Sequence, residues 1–382
     1  MFFMEQNDIE HILNQFALYG DLISFKGFGG GHINNTYVSV RNQAGTLVRY
    51  THQRINKNVF KNPAQVMENI QRVTSHIYAK LTADTDRANE GSAGITPGRR
   101  VLTVVPAKNG LPYYKDKDGE YWRTYLFVEN ASTYDIMDNS DLAYKVGKAV
   151  GTFQNQLSDY TGPALHETIA DFHNMRVRYE QLESAASKDS VSRLTSVRTE
   201  FDFLLANRER GAVLTDGLAS GKLKRGITHN DTKLNNILFD DKTGEAICVI
   251  DLDTVMPGTV LFDTGDLIRT ATNTGAEDER DLSKVGFDLE LFRSLAAGYI
   301  SSAGSFLTDY EKSLIAESGR ALTQIMAVRF LTDYLNGDVY YKTERKSHNL
   351  DRARTQIRLM QSMDEQWNGV QHTMEKLCRT SL

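Results

Sequence analysis

Three oxygen-bearing side chains in the second half of the chain carry the clearest chemistry. Asp231, in the run His229-Asn230-Asp231, is followed five residues later by Asn236, which stands at the head of a short apolar stretch, 236–239. A second stretch, 246–250, runs into Asp251, with Asp253 two residues beyond. The segment between them, Asp240-Asp241-Lys242-Thr243-Gly244, is made of turn-forming residues. A hairpin returns the end of its second strand to the start of its first, so Asp231, Asn236 and Asp251 are expected to converge at one edge of a small sheet. Hard oxygen donors suit Mg2+, which keeps several waters and binds phosphates together with one or two carboxylates. Phosphoryl transfer needs a metal to neutralise phosphate charge and a carboxylate to orient the attacking hydroxyl. Taken singly, Asp231 could cap a turn, Asn236 could sit in one and Asp251 could end a strand. It is their joint order around one hairpin that points to a Mg2+–phosphate site.

A second candidate lies near the N-terminus, in Gly27-Phe28-Gly29-Gly30-Gly31-His32-Ile33-Asn34. Glycines between two strands let the backbone approach phosphates closely, and successive N–H groups in such a turn can cradle an anion. No Gly-Lys-Ser/Thr follows, so this is not a Walker loop. The next element reads as a strand rather than a helix, so it is not a dinucleotide-binding turn either. Alone, the cluster is equally compatible with a flexible hairpin turn.

The elements that must position these residues fall into two groups. Strands are expected at 24–28, 37–41 and 46–53, the last two joined by a turn at Asn42-Gln43-Ala44-Gly45. A helix follows Pro63, with Val66, Ile70, Val73, Ile77 and Leu81 at helical spacing. Residues 82–100 read as an exposed loop, and 102–106, 113–114 and 121–128 as further strands. Beyond Glu129 the pattern is helical: 142–157, then near 190–208, 288–302, 309–336 and 350–377. The expected fold class is α+β, with a small antiparallel-sheet N-lobe over 1–129 and a larger, mainly helical C-lobe over 130–382. Ligand sites favour clefts between such lobes.

Composition narrows the partners. The 382 residues carry 44 basic and 49 acidic side chains, a net charge of −5, which gives no electrostatic reason to expect nucleic acid. The two cysteines, Cys248 and Cys378, make no disulfide framework and no zinc-site spacing, which fits a reducing, cytoplasmic compartment. No apolar run approaches the ~20 residues that a membrane span needs, and the first ten residues do not read as a signal peptide. Oligomeric state is not legible.

The motifs His-Asn-Asp-x-x-x-x-Asn and Ile-Asp-x-Asp resemble those of the aminoglycoside phosphotransferase and choline kinase group, which has the protein-kinase-like fold. Longer stretches, namely 29–37, 228–238, 250–258, 261–266 and 329–340, look like the bacterial N-acetylhexosamine 1-kinases. The resemblance covers about residues 10 to 365 and is most specific over 228–266. It implies transfer of the γ-phosphate of ATP, with Mg2+, to the anomeric hydroxyl of a small sugar, N-acetylglucosamine or N-acetylgalactosamine. In that reading Asp231 is the catalytic base, Asn236 and Asp251 hold Mg2+, and Asp253 supports the metal from behind. Lys233 neutralises phosphate charge, Gly29, Gly30 and Gly31 approach the phosphates, and His229 braces the loop. The stretch from Tyr125 to Glu129, including Phe127, is the hinge whose backbone meets adenine. An aspartate of ordinary pKa, ~4, is a weak base at pH 7. That suffices where positioning and charge neutralisation carry the catalysis.

The sequence departs from the wider kinase pattern on the third strand. Kinases place there a Lys that grips the phosphates and pairs with a helix Glu, whereas 46–54 contains no Lys; Gln53 or Arg54 is expected in its place, opposite Glu68. For the sugar, His32, Asn34, Arg329 and Tyr340 are the candidates. Arg329 sits in an apolar run, where an unpaired charge is costly, so it either meets a polar ligand or pairs with Asp333 one turn on. Other acceptors compatible with the same motifs are aminoglycosides, choline and homoserine. A nucleotide-binding pseudokinase is the reading from another class, and retention of Asp231, Asn236 and Asp251 argues against it.

Overall fold

The turn 42–45 takes the conformation its residues demand. Ala44 and Gly45 both have positive φ, 51° and 95°, and the Asn42 carboxamide oxygen accepts the Gly45 N–H at 2.7 Å. Two residues of positive φ match the right-handed twist of the flanking strands. This places Gln43 opposite Thr46 and registers the whole β2–β3 ladder. The computed structural model describes residues 6–29, 33–87 and 96–380.

The fold is mixed α+β, with an antiparallel sheet in the N-terminal part and helices in the C-terminal part. It divides into two units. The first comprises 1–132, 159–169 and 238–256. Its main sheet holds β1 (Asp21–Gly27), β2 (Asn35–Gln43), β3 (Thr46–Ile55), β4 (Val104–Val105), β5 (Tyr114–Lys115) and β6 (Tyr121–Leu126). The order is β1-β2-β3-β6-β4, with β5 also on β6, and every pairing is antiparallel. Ile12, Phe16, Tyr50, Val105, Ala107 and Trp122 form one core cluster. The helix Pro63–Arg87 buries Val66, Ile70, Val73, Ile77 and Leu81, the stripe read from sequence. It runs on through 82–87, where a loop was expected: extending an existing helix costs far less than starting one, so weak helix formers are carried along. Residues 97–100 of the same expected loop form a short helix, and 88–95 lie outside the described residues.

A smaller sheet in this unit consists of β7 (Ala131–Ser132) and the hairpin Ile237–Asp240/Ala246–Val249. Asp240 shapes the hairpin turn. One carboxylate oxygen accepts the N–H groups of Lys242 (3.1 Å) and Thr243 (2.8 Å), and the other meets Arg99 at 2.8 Å. These donors hold the Asp240 carboxyl down at about 2, the Thr243 N–H leading.

The second unit comprises 133–158, 170–237 and 257–382 and is helical. Helices Ser140–Leu157 and Leu289–Ala303 pack backbone to backbone, because a Cβ on Gly147 would lie 2.0 Å from the Leu295 carbonyl oxygen. The expected helix 309–336 divides at Leu314 into Asp309–Ser313 and Ile315–Leu335. The one expected at 350–377 divides at Gln366 into His348–Glu365 and Trp367–Thr380. Helices Met175–Lys188 and Val260–Ala271 were not expected. The second of these buries ten of its twelve residues, the charged Asp263, Asp266 and Arg269 among them. Among the described residues, no helix is long and apolar enough to cross a membrane.

Candidate active site

The loop 229–236, in the second unit, hangs from helix Val260–Ala271. Asp263, fully buried, accepts the backbone N–H of His229 at 3.0 Å and of Asn230 at 2.7 Å, with Gln154 as a third donor at 3.1 Å. Burial raises the Asp263 carboxyl, and His229 and these donors work against that rise. Asp266 accepts the Thr232 N–H at 3.0 Å and pairs with Arg269 at 2.7 Å. Asn230 has φ +66°, a conformation that needs such restraint.

Within the loop, Asp231 is partly exposed. Asn236 Nδ2 donates to its backbone oxygen at 2.9 Å and to its carboxylate at 3.2 Å, and Lys233 Nζ lies 3.1 Å from the same carboxylate oxygen. His229 is wholly buried, and its Nδ1 accepts the Asp231 N–H at 3.2 Å. A brace that accepts through Nδ1 must leave that nitrogen unprotonated.

In the first unit, Asp251 follows the hairpin in a left-handed conformation, φ +58°. Asp253 is buried, paired with Arg123 through Oδ1 and with Asn34 Nδ2 through Oδ2 at 2.6 Å. Arg123 is 1% exposed and stands directly opposite Gln53 in the β3–β6 register. Its Nε donates to Gln53 Oε1 at 2.9 Å, while Gln53 Nε2 donates to Thr36 at 3.0 Å. Glu68 is held by Arg72 and by His166 at 2.6 Å, and the His166 bond is the main reason its carboxyl is lowered. So Gln53, expected opposite Glu68, is joined instead to Arg123 and through it to Asp253, while Glu68 is engaged by Arg72 and His166.

Gly29 has φ +75° and is exposed, and a Cβ there would meet nothing within 4 Å, so backbone freedom is what glycine supplies. Gly30, Gly31 and His32 lie outside the described residues. Arg49 packs over the Phe127 ring at 3.9 Å and pairs with Glu129. The Phe127 N–H donates to the Arg49 carbonyl at 3.1 Å, and the Glu129 carbonyl accepts from Arg99 at 2.9 Å.

The oxygen donors fit a hard cation. Asn236 gives its N–H to Asp231, which leaves its amide oxygen to face another way, and Asp251 is a partly exposed residue. Among the described residues no group of three or more His, Cys, Asp or Glu forms a ready metal cage.

Arg329 lies among three rings, 5.0 Å from Phe172, 5.5 Å from Tyr341 and 6.0 Å from Tyr340. It does not pair with Asp333. That carboxylate accepts the N–H groups of Val339, Tyr340 and Tyr341 and the Asn349 side chain, all within 3.0 Å. Burial and the Arg329 charge both lower the Arg178 guanidinium. Burial, then Arg329, depresses His173 to about 3. His173 Nδ1, Arg178 Nε and Tyr341 Oη are buried without a hydrogen-bond partner, and His173 Nε2 lies 3.4 Å from the Asn230 carbonyl oxygen, next to Asp231. Tyr340 is 64% exposed. Sequence reading missed Arg123, Asp263, Asp266, His173 and Arg178. The test applied to Arg329, a charge inside an apolar run, would have found Arg123 and Asp263; nothing in the sequence marks His173.

The family model described as phosphotransferase enzyme family (APH) matches residues 98–297, 200 of the 382. A microcompartment-associated aminopropanol kinase is similar at 15% identity and TM-score 0.56, covering 96% of this chain and 98% of that one. Spectinomycin phosphotransferase in complex with ADP and spectinomycin gives 13% and 0.56 over 100% of both chains. Amicoumacin kinase with AMP-PNP and Ca2+ gives 14% and 0.56, covering 94% of each. At these identities the likeness is one of fold, that of small-molecule kinases, whereas the family match rests on the sequence itself: the chain belongs to the APH phosphotransferase enzyme family.

Proposed function

We propose that the protein is an ATP-dependent kinase that phosphorylates the anomeric hydroxyl of N-acetylhexosamines. The observation that carries this reading is the cluster of Arg329, Arg178, His173 and Tyr341, whose His173 lies against the Asn230 carbonyl of the catalytic loop. Two guanidinium groups, Arg329 and Arg178, make no ion pair with an acid among the described residues, and three buried polar atoms there lack partners. Such a lining disfavours choline, aminoglycosides and other cations, which need carboxylates or an electron-rich cage free of competing charge. It favours an uncharged acceptor with several hydroxyls and a carbonyl oxygen. Arg329 would hold the N-acetyl or a hydroxyl oxygen, with Tyr340 as a stacking surface; His32 is the remaining candidate on the acceptor side, since the Asn34 amide is engaged by Asp253 and the Asn56 N–H.

Asp231 would accept the hydroxyl proton, and the Asn236 bond fixes its rotamer. Lys233 would shift from Asp231 to the transferring phosphate. Asn236 and Asp251 would hold Mg2+, which neutralises phosphate charge. Gly29, Gly30 and Gly31 would meet the phosphates, and the backbone near Phe127 and Glu129 the adenine. The fold relatives solved with ADP or AMP-PNP support nucleotide as the donor. The test is an acceptor panel with ATP and Mg2+: N-acetylglucosamine and N-acetylgalactosamine should be turned over with the highest kcat/KM. Faster consumption of choline, an aminoglycoside or homoserine refutes the acceptor assignment.

A further inference from the structure

Asp253 invites assignment as a second support for the metal, two residues after Asp251. Its surroundings point elsewhere. One carboxylate oxygen is taken by Arg123 and the other by Asn34 at 2.6 Å. Asn34 is oriented in turn, because its own oxygen accepts the Asn56 N–H at 2.9 Å. Arg123 is oriented by Gln53 at 2.9 Å. Five residues from five places in the first unit thus meet in one chain: β6, β3, the segment just after the glycines, the residue after β3, and the segment after the hairpin. A buried ion pair adds little stability over apolar packing, and its better-attested use is to fix register.

We infer that Arg123, Asp253 and Asn34 form a positioning device that ties the chain leaving the glycine segment to the backbone carrying Asp251. Asp253 serves as a tether, with one carboxylate oxygen on Arg123 and the other on Asn34. Arg123 supplies a buried positive charge from the neighbouring strand, next to a third strand that has no Lys. It acts through Asp253 and does not touch phosphate. The consequence is that nucleotide affinity depends on Asn34, a residue otherwise readable as an acceptor contact.

This rests on the nucleotide and Mg2+ part of the proposed function and is independent of the acceptor. Calorimetric titration of the full-length protein with Mg·ADP, without acceptor, tests it. Wild-type binding checks the nucleotide reading itself; its absence would sink both. Asn34→Ala and Asn34→Asp should weaken Mg·ADP binding about tenfold or more, the expected loss of a hydrogen bond to a charged group. Asn34→Asp, which sets a like charge against Asp253, should be the worse of the two. Both variants should melt within a few degrees of wild type, since Asn34 is only partly buried, and should keep the acceptor KM at saturating ATP. Unchanged Mg·ADP affinity in both variants, or a raised acceptor KM with nucleotide affinity intact, overturns the inference. Asp253→Asn, which leaves Arg123 buried with half its partner, should lower both affinity and melting temperature.

Discussion

Asp263 accepts the backbone N–H of Asn230 at 2.7 Å, and Asn230 immediately precedes Asp231. The carboxylate therefore restrains the backbone that leads into the residue assigned as catalytic base. Replacing Asp263 with Asn turns one of its acceptors into a donor facing an N–H. The expected cost is roughly 3 kcal/mol in stability, for a broken buried network, with a fall in kcat of at least a hundredfold. Thermal melts and steady-state kinetics on Asp263→Asn check this; normal kcat would mean the loop keeps its geometry without Asp263.

Asp231→Asn removes the proton acceptor and keeps the shape. It should fold normally, bind Mg·ADP as wild type does, and lose turnover by several orders of magnitude. Full activity would remove Asp231 from the mechanism.

Tyr341 presents a buried hydroxyl without a partner, and burial raises its pKa. Tyr341→Phe removes an unsatisfied group, so the acceptor-free protein should be as stable as wild type or slightly more so. If the hydroxyl faces the acceptor, the same variant should raise the acceptor KM severalfold and leave the ATP KM unchanged. Arg329→Leu should do so more strongly, by at least tenfold.

His52 is buried between the hydroxyls of Ser39 (2.7 Å) and Thr124 (2.9 Å), and burial depresses it to about 3. The folded protein therefore binds fewer protons at this site than the unfolded chain, whose imidazole titrates near ~6.5. The stability this represents is complete above that pH and is lost as pH falls toward 3. By pH 5 the loss should reach about 2 kcal/mol. Melting temperature measured from pH 8 to 5 should fall accordingly, and His52→Gln should flatten the slope.

Much of this was legible in the sequence because it depends on local rules. The Ala44-Gly45 turn, the stripe of Pro63–Arg87 and the hairpin with Asn236 before it and Asp251 after it follow from residue type and spacing. What escaped did so for a physical reason. Helix Val260–Ala271 buries its polar residues Asp263, Asp266 and Arg269 along with its apolar ones, so residue type does not tell which of its faces is covered. The Arg123–Asp253–Asn34 chain joins residues far apart in sequence, and no local pattern predicts which buried charges will meet. The choice between Arg329–Asp333 pairing and a free guanidinium turned on the backbone N–H groups of 339–341, which had already taken Asp333.

The most direct test of the proposed chemistry is the site of phosphorylation. Product formed from ATP, Mg2+ and N-acetylglucosamine or N-acetylgalactosamine should show, by phosphorus–proton correlation NMR, a phosphorus coupled to the anomeric proton. Coupling to the C6 methylene protons, or no sugar phosphate at all, would contradict it.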